Sequence, residues 1–339
     1  MAVAGRLSGP EWKRYPDPAT ELEVVRLTDP AFSSGMTAPH LRQFGRRSDT
    51  LLYWSERTGT RQGFQMDLKT GESHQITDAA DLDPHSLVLN SDEKSVVYFD
   101  GPALIESSLN SLSKRTPYKG PAGVKRTGLT QGFDGSLLFV ETRDGKSRIL
   151  RSTRSVTNTI AALESPVDDL QARPKSGQLL IRSEAAVSLC NLDGSGTRPL
   201  QLEPGLTGAI TWVPSGRTFV YLHIPDDPKE LISLREYNPE EKTDRRIAST
   251  SQFESVGSNT DSSVFAGASR SKASAYVLIL LRAVRRELTL CEHHASDPRM
   301  VSPIFTPDSQ SVFFTSDRDG HSAIYRVHVD KFVEHTGEG

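Results

Sequence analysis

The chain has 339 residues, with 40 Lys and Arg against 43 Asp and Glu and a net charge of −3. That balance gives no basic excess for nucleic acid or an anionic membrane surface, so neither is expected as a partner. Two cysteines, Cys190 and Cys291, are too few for a disulfide framework, and no apolar run approaches the roughly 18 residues of a membrane span.

In chain order, the first residues lack the apolar segment of a secretory signal, which predicts a cytoplasmic protein. The first strand is expected at 23–29. Residues 44–59 then read as a turn, an apolar strand, a polar pair and a second turn. Aligned without a gap on 305–320, they share Phe44/Phe305, Ser48/Ser309, Ser55/Ser316, Arg57/Arg318 and Gly59/Gly320. Worn copies of this unit lie between them, with apolar strands at 95–99, 136–140, 178–181, 217–221 and 263–267. From Phe44 to Phe305 the chain takes steps of about 43 residues, the length of a propeller blade. Pro-Asp, Asp-Gly and Ser-Gly pairs supply the tight turns, and β-branched and aromatic runs supply the strands. The apolar stretch 278–288 is broken by Arg282, Arg285 and Arg286 and reads as two strands around a turn rather than a helix. The expectation is an all-β, seven-bladed β-propeller forming one domain over 1–339.

After Val329 too little chain remains for a fourth strand in the last blade. Arg26-Leu27-Thr28-Asp29 matches the end of the fourth strand of the first, Gln75-Ile76-Thr77-Asp78. Residues 22–29 are therefore expected to complete the blade formed by 299–330, which leaves no open sheet edge.

The first strand of each propeller blade lines a central channel, so the residues entering those strands are the candidates for a site. They are polar on one side of the ring. His40, Arg42, His85, Asp169 and Gln171 could converge on an anionic or sugar-like ligand, or could simply hydrate the channel. Trp212 reads either as a stacking platform or as packing between blades. Glu292-His293-His294 is the densest histidine cluster; adjacent histidines on a strand face opposite ways, so both bind one metal only from a loop. No H-E-x-x-H, paired C-x-x-C, phosphate-binding glycine loop or G-x-S-x-G elbow is present.

Several stretches together resemble the oligogalacturonate lyase family: Ser55-Glu56-Arg57-Thr58-Gly59, Asn191-Leu192-Asp193-Gly194-Ser195-Gly196, Trp212-Val213-Pro214-Ser215-Gly216 and Leu290-Cys291-Glu292-His293. The resemblance runs over nearly the whole chain in blade order. It implies a seven-bladed propeller, usually cytoplasmic, that acts on short pectin fragments by β-elimination. It also implies a divalent metal, typically manganese, that neutralises the uronate carboxylate, and a histidine with a nearby arginine that handles the proton. The positions that would carry this chemistry have changed. Met300 and Ser302 stand where the family has two metal-binding histidines, and its glutamine ligand falls near Asp297. Ser255 and Ala209 stand near two further family histidines, and Gln171 survives from a third motif. The loop between Arg182 and Val187 is shortened. No metal site is therefore expected here. Two readings follow: a divergent lyase using His40, Arg42, Asp169, Gln171 and His293, with His85 as a further binding candidate, or a non-catalytic propeller that binds a glycan, uronate or protein partner. The expected partner at the channel mouth is a small acidic oligosaccharide or an unknown ligand.

Overall fold

A computed structural model describes residues 7–154, 156–184, 186–249 and 252–333. Its strands fall into seven antiparallel sheets in sequence order around a ring, a seven-bladed β-propeller. Blades two to six have four strands each. Blade four, for example, runs Asp169–Ala172, Gln178–Arg182, Val187–Asn191 and Arg198–Pro199 from the channel outward.

The repeat has a physical basis in one turn, made once in every blade. Ser48, Glu93, Gly135, Lys175, Gly216, Ser262 and Ser309 occupy the same place before the second strand, and all have positive φ. Only two are glycine, so at the other five the turn bears the cost of the left-handed conformation. Aspartates help hold it: the Oδ1 atoms of Asp92, Asp134, Asp261 and Asp308 each accept the N–H two residues on. The matched phenylalanines also share a role, because Phe44 bridges Leu51 and Phe305 pairs with Val312.

The ring closes on an N-terminal strand. Strand Glu23–Arg26 pairs with Ala323–His328 of blade seven. The likeness of 26–29 to 75–78 is a likeness of hydrogen bonding. Thr28 Oγ1 accepts the N–H of Ile324 at 3.0 Å, as Thr77 Oγ1 accepts that of Gly63 at 2.7 Å. Leu27 N–H bonds Ile324 O as Ile76 N–H bonds Gly63 O. Beyond expectation, Lys13–Pro16 adds a fifth strand outside Glu23–Arg26, and Leu7–Ser8 pairs with Ser73–Gln75 of blade one. The sequence of the fifth strand, Lys-Arg-Tyr-Pro, carries no apolar alternation to reveal it.

Seven apolar clusters hold the ring, one at each seam between neighbouring blades. The closing strand contributes to two, Val24 to the seam with blade six and Val25 to the seam with blade one, both fully buried. This is the alternation of a strand covered on both faces. Where inner strands crowd the channel, a side chain has no room: a Cβ on Gly257 would lie 2.6 Å from Pro303 O. Residues 278–288 form a hairpin between strands Tyr276–Leu281 and Arg286–Glu292, and Arg282 pairs with Glu236 of blade five at 2.6 Å. Among the described residues no helix is long and apolar enough to cross a membrane.

Candidate functional site

The channel opens at two mouths. At one, the entry ends of the inner strands enclose a pocket of about 200 Å³ whose walls include His40, Asp169, Gln171, Arg182, Ser255 and Ser302. Beside it, between blades one and four, a second pocket of about 450 Å³ holds His85, Thr127 and again His40 and Asp169. The other ends of the inner strands border a larger cavity of about 840 Å³, lined by Arg42, Arg46, Arg173 and Lys175. His40 borders all three.

Blade four builds one wall of the smaller mouth. Asp169 and Gln171 are two apart on its inner strand and so share a face, while Leu170 between them is fully buried in the seam with blade three. Arg182 lies directly opposite Asp169 in the sheet register, on the same face. Gln171 is 3% exposed. Its Nε2 donates to Asp169 Oδ2 at 2.7 Å and to Ile210 O at 2.9 Å, which leaves Oε1 without a partner.

Gln171 Oε1 is one of a group. His40 Nε2, Thr127 Oγ1, Arg182 Nε and Ser255 Oγ are also buried atoms without a hydrogen-bond partner, and the residues that carry them line the two pockets at this end. An unsatisfied buried polar atom costs about 1–3 kcal/mol, and a group of them around a cavity marks where a polar ligand would satisfy them. The remaining charges of the mouth are spent on each other or on neighbours. Glu254 pairs with Arg270 at 2.8 Å and Arg299 with Asp297 at 2.7 Å.

Three of the residues singled out in the sequence, His40, Asp169 and Gln171, thus meet at one mouth, with exposed His85 in the adjoining pocket. Arg42 does not join them. It lies toward the other mouth, ion-paired with Glu93, and donates to Ser91 O. His293 is a correction. It is fully buried in the wall of the ring, with Nδ1 accepting the N–H of Ala295 and its carbonyl accepting from Ser316 Oγ. Burial pushes its imidazole down to about 4. A neutral histidine sealed from the channel cannot touch a ligand there. His294 is exposed and bonds Glu292 at 2.6 Å, so the cluster is an ordinary connection between blades. Trp212 is 7% exposed, edge-on to Phe219 and under the Arg173 guanidinium, which makes it packing. Arg182 is a site residue that the sequence did not bring out. The signal was available, since a hairpin centred on the 174–177 turn sets it across from Asp169.

The donors at this mouth do not suit a hard divalent ion. Met300 packs on the core shared by blades six and seven, and Ser302 and Ser255 offer only hydroxyls. Of the two carboxylates, Glu254 is engaged by Arg270, and Asp169 accepts from its own Leu170 N–H and from Gln171. Two guanidiniums line the same pocket. Among the described residues no three His, Cys, Asp or Glu side chains come together as a metal-binding group.

No family model matches the chain. A curated oligogalacturonide lyase from Pectobacterium atrosepticum is 22% identical over 376 aligned positions, covering 94% of this chain and 96% of that protein. Over nearly its full length the chain is thus similar to an oligogalacturonide lyase. Two solved structures share the fold at a TM-score of 0.90 and 20% identity, each covering 97% of this chain and 99% of the other. One is an oligogalacturonate lyase in complex with manganese, the other an oligogalacturonate lyase from Vibrio parahaemolyticus. The resemblance read from the sequence therefore extends over the whole propeller.

Proposed function

We propose that this propeller takes up a short galacturonate oligomer at the mouth bounded by His40, Gln171 and Ser255, and that its chemistry, where it turns over, is β-elimination. The observation behind this reading is the group of unsatisfied polar atoms at that mouth, in a chain related along its length to a lyase acting on such oligomers. A sugar ring offers hydroxyls to Gln171 Oε1 and Ser255 Oγ. Elimination needs a base for the C5 proton of the uronate. His40 Nε2 is the unpartnered nitrogen available at the mouth, and it is the group assigned to accept that proton. The C–H electron pair becomes the C4–C5 double bond, the C4–O bond breaks, and the departing oxygen takes a proton.

A second reading is binding without turnover. It is favoured by Ser255 and Ser302 in the mouth and by Met300 packed on the core, which leave no metal ligands at these positions. Incubation with di- and trigalacturonate, followed by absorbance in the unsaturated-uronate band, separates the two. Growth of that band that is lost in His40→Gln supports the lyase. Saturable binding with a flat absorbance supports the binder. Neither binding nor turnover with any galacturonide refutes both.

A further inference from the structure

Arg182 is an unusual cation among the described residues. It stands at the end of its strand, directly across from Asp169, yet no ion pair joins them. Asp169 has turned its oxygens to the Leu170 N–H and to Gln171 Nε2 instead. Among the described residues the Arg182 side chain has no acceptor; its Nε is buried, and the residue lines the small mouth pocket. The other arginine of that pocket is neutralised, Arg299 by Asp297. A guanidinium taken partly out of water without an acceptor is costly, and a planar carboxylate relieves that cost with two parallel hydrogen bonds. Beside it Gln171, buried and lining the same pocket, carries an unpartnered Oε1 that could accept a ligand hydroxyl next to that carboxylate.

We infer that Arg182 is the carboxylate-binding residue of the mouth pocket, and that it replaces a divalent metal in neutralising the ligand's acid group. This deepens the acidic-oligosaccharide reading above and rests on it. The charge balance of the mouth suits that role. Of the charged side chains lining the pocket, Glu254 and Arg299 are paired with Arg270 and Asp297, and Asp169 is hydrogen-bonded by Leu170 N–H and Gln171, so Arg182 is the guanidinium left for a ligand carboxylate. The chemical class it takes is a uronate or similar sugar acid, bound by one charged fork and one amide.

The test is calorimetric titration of the wild type, Arg182→Gln and Arg182→Lys with trigalacturonate, a hyaluronan tetrasaccharide and neutral galactotriose. Each is run in EDTA and again with manganese. The expected result is binding of trigalacturonate that EDTA leaves unchanged, weakened roughly ten-fold or more in Arg182→Gln and partly retained in Arg182→Lys. Galactotriose is expected to bind weakly and equally to all three. Because Arg182 holds no protein partner, both variants should melt with the wild type, and that measurement excludes misfolding as the cause. Trigalacturonate binding that survives Arg182→Gln, or that disappears in EDTA, overturns the inference and leaves the galacturonate reading standing. Hyaluronan bound through Arg182 with trigalacturonate ignored keeps the inference and overturns that reading. Failure of both acidic probes to bind overturns both.

Discussion

The two mouths of the channel hold similar residues and treat them in opposite ways. At the wider mouth the arginines find partners within the protein. Arg42 pairs with Glu93, and Arg173, 8% exposed, donates to Gly216 O, Gln178 Oε1 and Glu240 while lying over the Trp212 ring. At the narrower mouth Arg182, Gln171, His40 and Ser255 leave donors and acceptors unused. Size and charge would select the wider cavity as the site. Unspent hydrogen bonding selects the narrower one. A polar residue near a channel is thus informative only once its partners have been counted, because internal partners make it structural.

Disrupting the satisfied mouth should cost the most. Arg173→Met keeps most of the buried stem but strands Gly216 O and Gln178 Oε1 and removes the ion pair with Glu240. The loss should be about 2–4 kcal/mol in urea unfolding, at the lower end because the Glu240 side chain is 70% exposed and remains solvated. Trigalacturonate binding at the opposite mouth should stay as it is. Loss of binding without loss of stability would reverse the assignment of the two mouths.

The same contrast separates what could be read in the sequence from what could not. The propeller was legible because each blade repeats one local solution, a left-handed turn followed by an apolar strand, with an aspartate holding the turn in four of the blades. Even the closing strand was legible, since Thr28 and Thr77 make one hydrogen bond in two blades. Sites do not repeat. His40, Asp169 and Gln171 were visible as polar residues at strand entries, but nothing in their identity shows that Gln171 Oε1 is left over while the arms of Arg42 are taken up by Glu93 and Ser91. His293 misled for the same reason. Its neighbours Glu292 and His294 made it part of a histidine cluster, whereas its place just past strand Arg286–Glu292 is fully buried in the wall. Arg182 went unnoticed because its significance is a relation across the sheet to Asp169.

His293 adds a control to the contrast between the mouths, because its Nε2 is also unpartnered yet faces no cavity of the channel. An unpartnered atom in the wall should influence stability and leave binding alone. Its folded pKa, about 4, lies below the usual 6.5. The folded state therefore binds fewer protons than the unfolded chain once the pH drops below the unfolded value. The stability His293 allows is complete above about pH 6.5 and is lost as the pH falls toward 4. Near pH 5 the loss should reach about 2 kcal/mol. Unfolding free energies measured across this range should slope downward in the wild type and less so in His293→Asn, with no change in ligand affinity. Equal slopes in the two proteins would mean that the imidazole protonates freely and is not sealed in the wall.

Stability should change least at the narrow mouth itself. Gln171→Met removes two side-chain bonds, to Asp169 and to Ile210 O, but it also removes an acceptor that the folded protein never satisfies. Lost bonds and relieved desolvation oppose each other at about 1 kcal/mol apiece, so the net change should stay within about 1 kcal/mol. The affinity for trigalacturonate should nonetheless fall, because Oε1 is one of the atoms assigned to the ligand. A residue buried to 3% exposure that costs little to replace yet matters for binding would be the signature of an amide held for something outside the chain. If instead Gln171→Met destabilises as much as Arg173→Met and leaves affinity unchanged, Gln171 is a strut like Arg173, and the two mouths are alike after all.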